Sequence, residues 1–353
     1  MIPVDDWVIP QESTVLVTGA NGLIGSHISD QFLHHGFRVR GTVRDVNQNS
    51  WLANMFHKRY GIERFELWQL SDMAAPGAFD EAVKGASVVV HSASIMTLDD
   101  DPHKVVPGVI AFALNALKAT YAEPCAQRFV FCSSSTAAIL STLDKPGVVV
   151  NDETWNEEAV EEVWANTSLN ADRSHTTYSA SKTLAEQAIW KYYNEHFEER
   201  PDIVVNTVLP NMTIGASLDP VNQGFPSTSG IVALLYKGNI VPYHRKVPRQ
   251  YFVDVQDVGR LHVAAAVLPR VRGQRIFAFA ERYNWDSILD IFRKLEPNGT
   301  FLENFSGGED PNEIQPREKA EQLLRDLGRP GWTHLEESVG NLVRDIQAAE
   351  ASL

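Results

Sequence analysis

The chain has 353 residues, of which 45 are acidic and 31 basic, for a formal net charge of −14. That is enough chain for roughly two domains and for a buried core that needs no metal or disulfide staple. The negative balance excludes a sequence-independent nucleic-acid binder, which needs clustered Lys and Arg, and two cysteines, Cys125 and Cys132, cannot build a disulfide framework or a Cys-rich zinc site.

The N-terminal segment MIPVDDWVIP carries two aspartates and no basic region, unlike a secretory signal. No stretch approaches the roughly 18 uninterrupted apolar residues of a membrane span. A soluble, cytoplasmic protein is expected, with neither membrane nor nucleic acid as partner. The histidines show no metal-ligand spacing, so no metal is expected.

In chain order, Thr14–Val17 reads as a first buried strand. It runs into the turn Gly19-Ala20-Asn21-Gly22-Leu23-Ile24-Gly25 and a helix to about His35, with Gly36 suited to the helix end. Phe37–Val43 reads as the second strand, followed by a helix near 48–59 and a third strand near 65–69. Ser87–His91 is the fourth strand, flanked by helices near 78–83 and 105–121, and Phe129–Cys132 the fifth. Residues 144–177 are acidic and polar, suiting loop and short helix over the sheet's edge. Tyr178 opens a long helix to about Phe197, and Ile203–Leu209 forms a sixth strand. Past Pro210 the pattern is less regular, with a helix over 255–268, a strand over 275–279 and amphipathic helices over 317–327 and 335–349. Alternating short apolar runs and helical patterns point to an α/β fold, a doubly wound parallel sheet of Rossmann type.

Gly-x-x-Gly-x-x-Gly between a buried strand and a helix is a dinucleotide-binding signal. Gly19 allows the tight turn, Gly22 lets the backbone approach a pyrophosphate, and Gly25 lets helix and strand pack closely. The anion would then meet the free N–H groups and dipole of the helix N-terminus. In the second strand, alternation puts Arg40 and Arg44 on one face. Arg44, supported by Arg40, suits a 2′-phosphate; Asp45 falls where an NAD-type acid can lie, but beyond the arginine. NADPH/NADP+ is therefore the expected cofactor.

Tyr178 and Lys182 stand one helical turn apart on one face. A free tyrosine has a pKa of about 10, and a neighbouring ammonium lowers it towards the working range of an acid–base catalyst. Such a pair alone is weak evidence. Here it follows a dinucleotide turn and a fifth strand that ends in Ser133-Ser134-Ser135-Thr136.

Together these residues resemble the extended short-chain dehydrogenase/reductases. The likeness is nearest to the branch that holds dihydroflavonol reductases, cinnamoyl-CoA reductases and the yeast NADPH-dependent carbonyl reductases and type II aldehyde reductases. VTGANGLIGSH, RVRGTVRD, VVHSAS, RFVFCSSS, YSASKTLAEQA, VLPNMTIG and LGRPGW carry it, spread from Val17 to Trp332. The resemblance implies reversible reduction of a ketone or aldehyde, with Tyr178 as general acid and Ser134 bonding the substrate oxygen. Lys182 would lower the tyrosine pKa and bond the nicotinamide ribose. Ser133 and Ser135 remain alternatives to Ser134, since neighbours on a strand point in opposite directions.

The resemblance also implies that Thr18, Gly19, Asn21, Gly22, Leu23 and Ile24 surround the pyrophosphate and that Ser92, Ala93 and Ser94 line the cofactor. Asp72 and Met73 would lie near the adenine, and Leu209, Pro210 and Asn211 near the nicotinamide. Ser227 and Ser229 would flank the pyrophosphate and the substrate entrance. Ile95, Met96, Thr136, Met212 and Gln250 are pocket candidates for a small carbonyl substrate.

A Rossmann domain over 1–210 and 254–280 would pair with a smaller, discontinuous substrate domain over 211–253 and 281–353, in a monomer or homodimer. The helix over 105–121 departs from the family pattern. It lacks both a Gly-Thr pair and an Asn placed to hold a proton-relay water, Asn115 falling too far along it. The rival readings are a nucleotide-sugar epimerase or dehydratase on the same fold, and a non-catalytic NADP-sensing regulator.

Overall fold

The computed structural model describes residues 6–95, 99–140, 146–165 and 173–351. The chain runs β1 (Thr14–Thr18), α1 (Leu23–His34), β2 (Arg38–Val43), α2 (Ser50–Tyr60), β3 (Phe65–Gln69), β4 (Ala86–His91), α3 (Pro102–Ala122) and β5 (Arg128–Cys132). The short β6 (Val149–Val150) and α4 (Glu157–Trp164) lead into α5 (Ser174–Glu195), β7 (Val204–Pro210) and β8 (Met212–Ile214). Then follow α6 (Thr228–Tyr236), α7 (Pro242–Lys246), β9 (Arg249–Asp254), α8 (Val255–Val267), β10 (Arg275–Ala278), β11 (Glu281–Asn284), α9 (Trp285–Leu295), β12 (Glu313–Ile314), α10 (Arg317–Asp326) and α11 (Leu335–Ala351).

Seven strands form one parallel sheet in the order β3-β2-β1-β4-β5-β7-β10. Its central strands are continuous apolar runs because both faces are covered by helices. Alternation sorts their side chains between two cores. Val15, Val17, Val88, Val90 and Val130 join Ile28 and Phe32 of α1 and Val258 and Leu261 of α8. Leu16, Val89, Phe129 and Phe131 join Val109 and Leu117 of α3 and Ala185 and Ile189 of α5. Chain order reverses between β1 and β4, which opens a crevice at their carboxyl ends. A second sheet, β8-β9-β11, and a two-stranded pair, β6 with β12, are built from the later segments.

Most of the expected elements form. Gly36 (φ +85°) ends α1 as anticipated, its N–H bonding Leu33 O and the N–H of Phe37 bonding Phe32 O. The helix expected near 78–83 does not form. Gly77 (φ +74°) and Gly85 (φ +72°) bracket a run of turns there, too short to repay helix nucleation. The long helix opens at Ser174 rather than Tyr178, so the tyrosine lies in its second turn. By length and composition α3 could cross a membrane, but half of its apolar stretch is buried in the fold, much of it in the core shared with α5.

Gly25 marks a contact with no slack. A side-chain carbon there would lie 2.2 Å from the Gly19 carbonyl oxygen. The helix can cross the end of β1 this closely only without a Cβ. Gly25→Ala should therefore cost about 1–3 kcal/mol or more of overpacking strain, read as a lower urea midpoint.

Three buried imidazoles are held neutral by desolvation: His27 and His262 at about 4 and His91 at about 3. His27 Nε2 bonds Ala216 O and His262 Nδ1 bonds Val258 O, so each is partnered without a charge. Burial and the neighbouring Asp257 push Asp254 the other way, up to about 6. On unfolding at pH 5 the three histidines would each bind a proton while Asp254 would release one. With about two protons taken up, stability should fall by about 2.7 kcal/mol per pH unit as pH drops from 6 to 4. Chemical denaturation across that range checks the slope and its sign.

Candidate active site

The glycine turn connects β1 directly to α1 at the sheet's carboxyl edge. Gly19 takes φ +64°, and Ala93 Cα would lie 3.1 Å from any side chain there. Gly22 caps α1 without a side-chain bond, and the first turn of the helix holds no acid. This leaves a bare positive helix end, the arrangement an anion needs. Leu23 is buried and Ile24 half-buried beside it. One residue missed from sequence reaches this turn. Gln223 Nε2 donates to Asn21 O, Gly22 O and Ser26 Oγ at 3.1, 3.2 and 2.9 Å, taking up carbonyls and leaving the N–H side of the turn clear.

Thr18 is turned inward. Its Oγ1 accepts from the N–H of Ser92 and of Ala93, each at 3.0 Å, leaving its own proton for His91 Nδ1 at 3.0 Å. Ser92 Oγ donates back to Thr18 O at 2.5 Å. These bonds fix the segment after β4 against the glycine turn. Ser94 Oγ is buried and has no hydrogen-bond partner among the described residues, a donor and acceptor suited to a bound polar ligand.

At the ribose end the two arginines part company. Arg40 is not available to a phosphate: its Nε bonds Glu66 at 2.5 Å and its Nη1 bonds Ala82 O and Lys84 O, while its guanidinium stacks 4.5 Å from the Trp68 ring. Its acceptors come from β3 and from the turns before β4. Arg44 lies exposed past the end of β2, and its guanidinium has no partner among the described residues. Asp45 is used locally, its Oδ1 accepting from the N–H of Asn47 and Gln48. Asn21 bonds Asn49, whose own amide bonds Asp45 O.

Asp72 is exposed and caps Ala74 N, and Met73 is buried. Asn115 donates to the carbonyls of Met73, Ala74 and Ala75 at 3.0, 3.0 and 3.2 Å. It braces this loop rather than standing near Tyr178.

The serine run resolves by what each hydroxyl meets. Ser133 Oγ donates to the buried Glu186 carboxylate at 2.6 Å. Ser134, in extended conformation (φ −157°, ψ 152°), points instead toward the phenol of Tyr178, close enough to pull its pKa down. Ser134 Oγ accepts from Thr136 N at 3.3 Å and from Thr136 Oγ1 at 3.0 Å, so its own proton remains to be given.

Burial dominates the charge states. It pushes the Tyr178 phenol up to about 12 against the opposing pull of Ser134, and it lowers Lys182 from the usual lysine range. The neighbours acting on the tyrosine beside burial are Ser134, Cys132 and Tyr243. Lys182 Nζ donates to Cys132 O at 2.8 Å and lies 4.7 Å from the Phe131 ring, so it is committed to the end of β5. Glu186, one turn further along α5, also accepts from Thr207 Oγ1 and Arg275 Nε, both at 2.8 Å. The spacing 178, 182, 186 was legible as one helical face, yet the acid was overlooked.

Leu209 and Pro210 are buried at the end of β7, and Asn211 N bonds Ala278 O at 3.2 Å. Met212 is buried next to them. Ser229 Oγ, in the first turn of α6, is buried without a partner among the described residues, and Ser227 caps that helix with φ +57°. Ile95 packs on α3, its Cδ1 lying 2.7 Å from where Gly108 would carry a Cβ. Met96 lies outside the described residues. Gln250 is buried, and its Nε2 donates to the hydroxyls of Tyr243 and Tyr283. Tyr243 was not anticipated: it sits in an irregular part of the chain, with no spacing that links it to Tyr178.

Residues 15–278 match the NAD dependent epimerase/dehydratase family. The chain is 39% identical over 347 residues to Aldehyde reductase 2 of Sporidiobolus salmonicolor, covering 97% of this chain and 98% of that protein. It is 36% identical over 359 residues to Ketoreductase adrE of Penicillium rubens, covering 98% and 100%. The solved structure of Gre2 from Candida albicans in complex with NADPH superposes with a TM-score of 0.80 at 25% identity, covering 95% of this chain and 99% of that one. The chain belongs to the NAD dependent epimerase/dehydratase family, the extended short-chain dehydrogenase/reductases.

Proposed function

We propose that the chain is an NADPH-dependent carbonyl reductase that reversibly converts a ketone or aldehyde to an alcohol. The observation that carries this is the junction of β5 and α5. There a serine with an unspent proton meets a tyrosine kept protonated by burial, with a lysine on the same helical face. The aldehyde and keto reductase names of the relatives, and the NADPH complex of the structural neighbour, support the same reading. An epimerase or dehydratase is less favoured by those names, and a non-catalytic NADP sensor has no need of the intact pair.

The bare end of α1 would hold the pyrophosphate, Arg44 the 2′-phosphate, and Ser94 a polar group of the same ligand. When bound, NADPH supplies the hydride that adds to the carbonyl carbon. Tyr178 gives its proton to the carbonyl oxygen, and Ser134 donates a hydrogen bond to that oxygen as negative charge builds on it. Lys182 stays close to the phenolate that results and offsets its charge. Substrate would enter between the carboxyl edge of the large sheet and a smaller domain of 211–253 and 281–353. A reducing, cytoplasmic setting suits the free thiols of Cys125 and Cys132.

Tyr178→Phe removes only the acidic oxygen. Turnover should fall by about 10²–10⁴-fold while NADPH binding, followed by fluorescence titration, stays close to the parent; retained turnover would refute the assignment. Arg44→Asp should weaken NADPH by about 10–100-fold, the worth of a charged hydrogen bond, with little effect on NADH. An unchanged ratio of the two dissociation constants would remove Arg44 from the site.

A further inference from the structure

A cavity of about 720 Å³ opens beside β10, the edge strand of the large sheet. The described residues that line it include none of those assigned to catalysis or to the cofactor. Its volume is in the range of small-molecule sites. Trp155 ahead of α4, Trp190 and Tyr193 of α5, Arg275 of β10, and Ala320 and Leu323 of α10 form its walls. Trp190 and Tyr193 meet edge to face, with ring centroids 6.1 Å apart at 67°. Trp155 covers the Arg275 guanidinium, its ring centroid 3.7 Å from Cζ. A flat ring entering the cavity finds stacking and edge contacts on these three side chains.

The donors come from one arginine. The Arg275 side chain is only 7% exposed. Its Nε donates to Glu186 and its Nη1 to the carbonyls of Asp152 and Thr154. Nη2 is buried and has no hydrogen-bond partner among the described residues. A buried donor left unpaired is costly, so an oxygen brought to it is favoured. The strand adds a second donor. Gln274 O accepts from Thr207 N in β7, and a trans peptide points its N–H the other way, so the Arg275 N–H faces away from β7. Charge in the cavity is already balanced, Arg275 by Glu186 at 2.8 Å and Lys319 by Asp152 at 2.5 Å. Arg275 disfavours a cation, and the exposed Glu153 disfavours an anion. A charged ligand would be desolvated with no counter-ion waiting for it.

We propose that this cavity is a second ligand site, separate from the reductive centre, for a neutral aromatic molecule that carries a carbonyl oxygen. The ring lies among Trp155, Trp190 and Tyr193, and the oxygen accepts from Arg275. The occupant thereby touches the guanidinium that neutralises Glu186, the acid that holds Ser133.

2-Naphthamide is the probe, because hydride from a nicotinamide does not reduce an amide and binding is read without turnover. It is titrated calorimetrically into the enzyme saturated with NADP+, and into Trp155→Leu and Tyr193→Leu in the same state. Retained NADPH binding shows that each variant is folded. The parent should bind the amide, and each variant should bind it about tenfold more weakly, the worth of one aromatic contact. 2-Naphthoate has the same ring with a carboxylate, and should bind the parent about tenfold more weakly than the amide, or worse. No binding to the parent, or unchanged affinity in both variants, would overturn the proposal, the second result placing the probe elsewhere, the catalytic cleft included. A carboxylate held as tightly as the amide overturns the neutral ligand class and the proposal with it.

Discussion

Glu186 is fully buried, and its carboxylate gathers hydrogen bonds from β5, β7, β10 and its own helix. A lone carboxylate at that depth would be prohibitively desolvated. Arg275 supplies the countercharge and is itself held by Asp152 O and Thr154 O and by the face of Trp155. Removing one partner of such a pair typically costs 3–5 kcal/mol, because the other is left buried and uncompensated. The bond from Ser133 to Glu186 sets which way the end of β5 faces. With Ser133 drawn to the acid, the extended backbone presents Ser134 on the opposite side, toward Tyr178. The choice among three adjacent serines thus rests on a carboxylate more than fifty positions away.

Burial is the largest influence on both Tyr178 and Lys182. Desolvation disfavours phenolate and ammonium alike, so each is pushed toward its neutral form in the free protein. That suits a phenol whose task is to give up a proton, provided its oxygen meets compensating groups once the proton has left. Ser134 is already in place for this, while Lys182 is held one bond away on the Cys132 carbonyl. Surroundings also decide the arginines. Arg40 found carbonyls and a carboxylate within reach and became part of the sheet's edge, whereas Arg44, past the strand's end, met none among the described residues.

Much of the architecture was legible before any coordinates. Buried parallel strands read as unbroken apolar runs, and the β1, β4, β5 and β7 segments stand out for that reason. The glycine turn was equally plain, since Gly19 and Gly25 have backbone approaches that leave no room for a side chain. Less was readable beyond Pro210. The strands β8 and β11, of three and four residues, are too brief for alternation to register, and β9 is buried along nearly its whole length and so does not alternate. The residues that fasten the site together were hidden for a related reason. Gln223 meets a turn some two hundred residues earlier, and Tyr243 meets His175 only because α7 folds back over α5.

By itself, the sequence determined the chemistry available: a Gly-rich helix start, a phenol and an ammonium one helical turn apart, and hydroxyls at a strand's end. These follow from local periodicity and backbone sterics, which neighbouring residues dictate to one another. Only the tertiary structure decided which of the candidate groups are free to act. Arg40, Thr18 and the amide nitrogens of Asn115 and Gln250 are engaged by distant elements, while the Arg44 guanidinium and Ser94 Oγ have no partner among the described residues. A hydrogen-bonding group is available only if nothing nearer has satisfied it, and what lies nearer is set by packing between segments far apart in the chain.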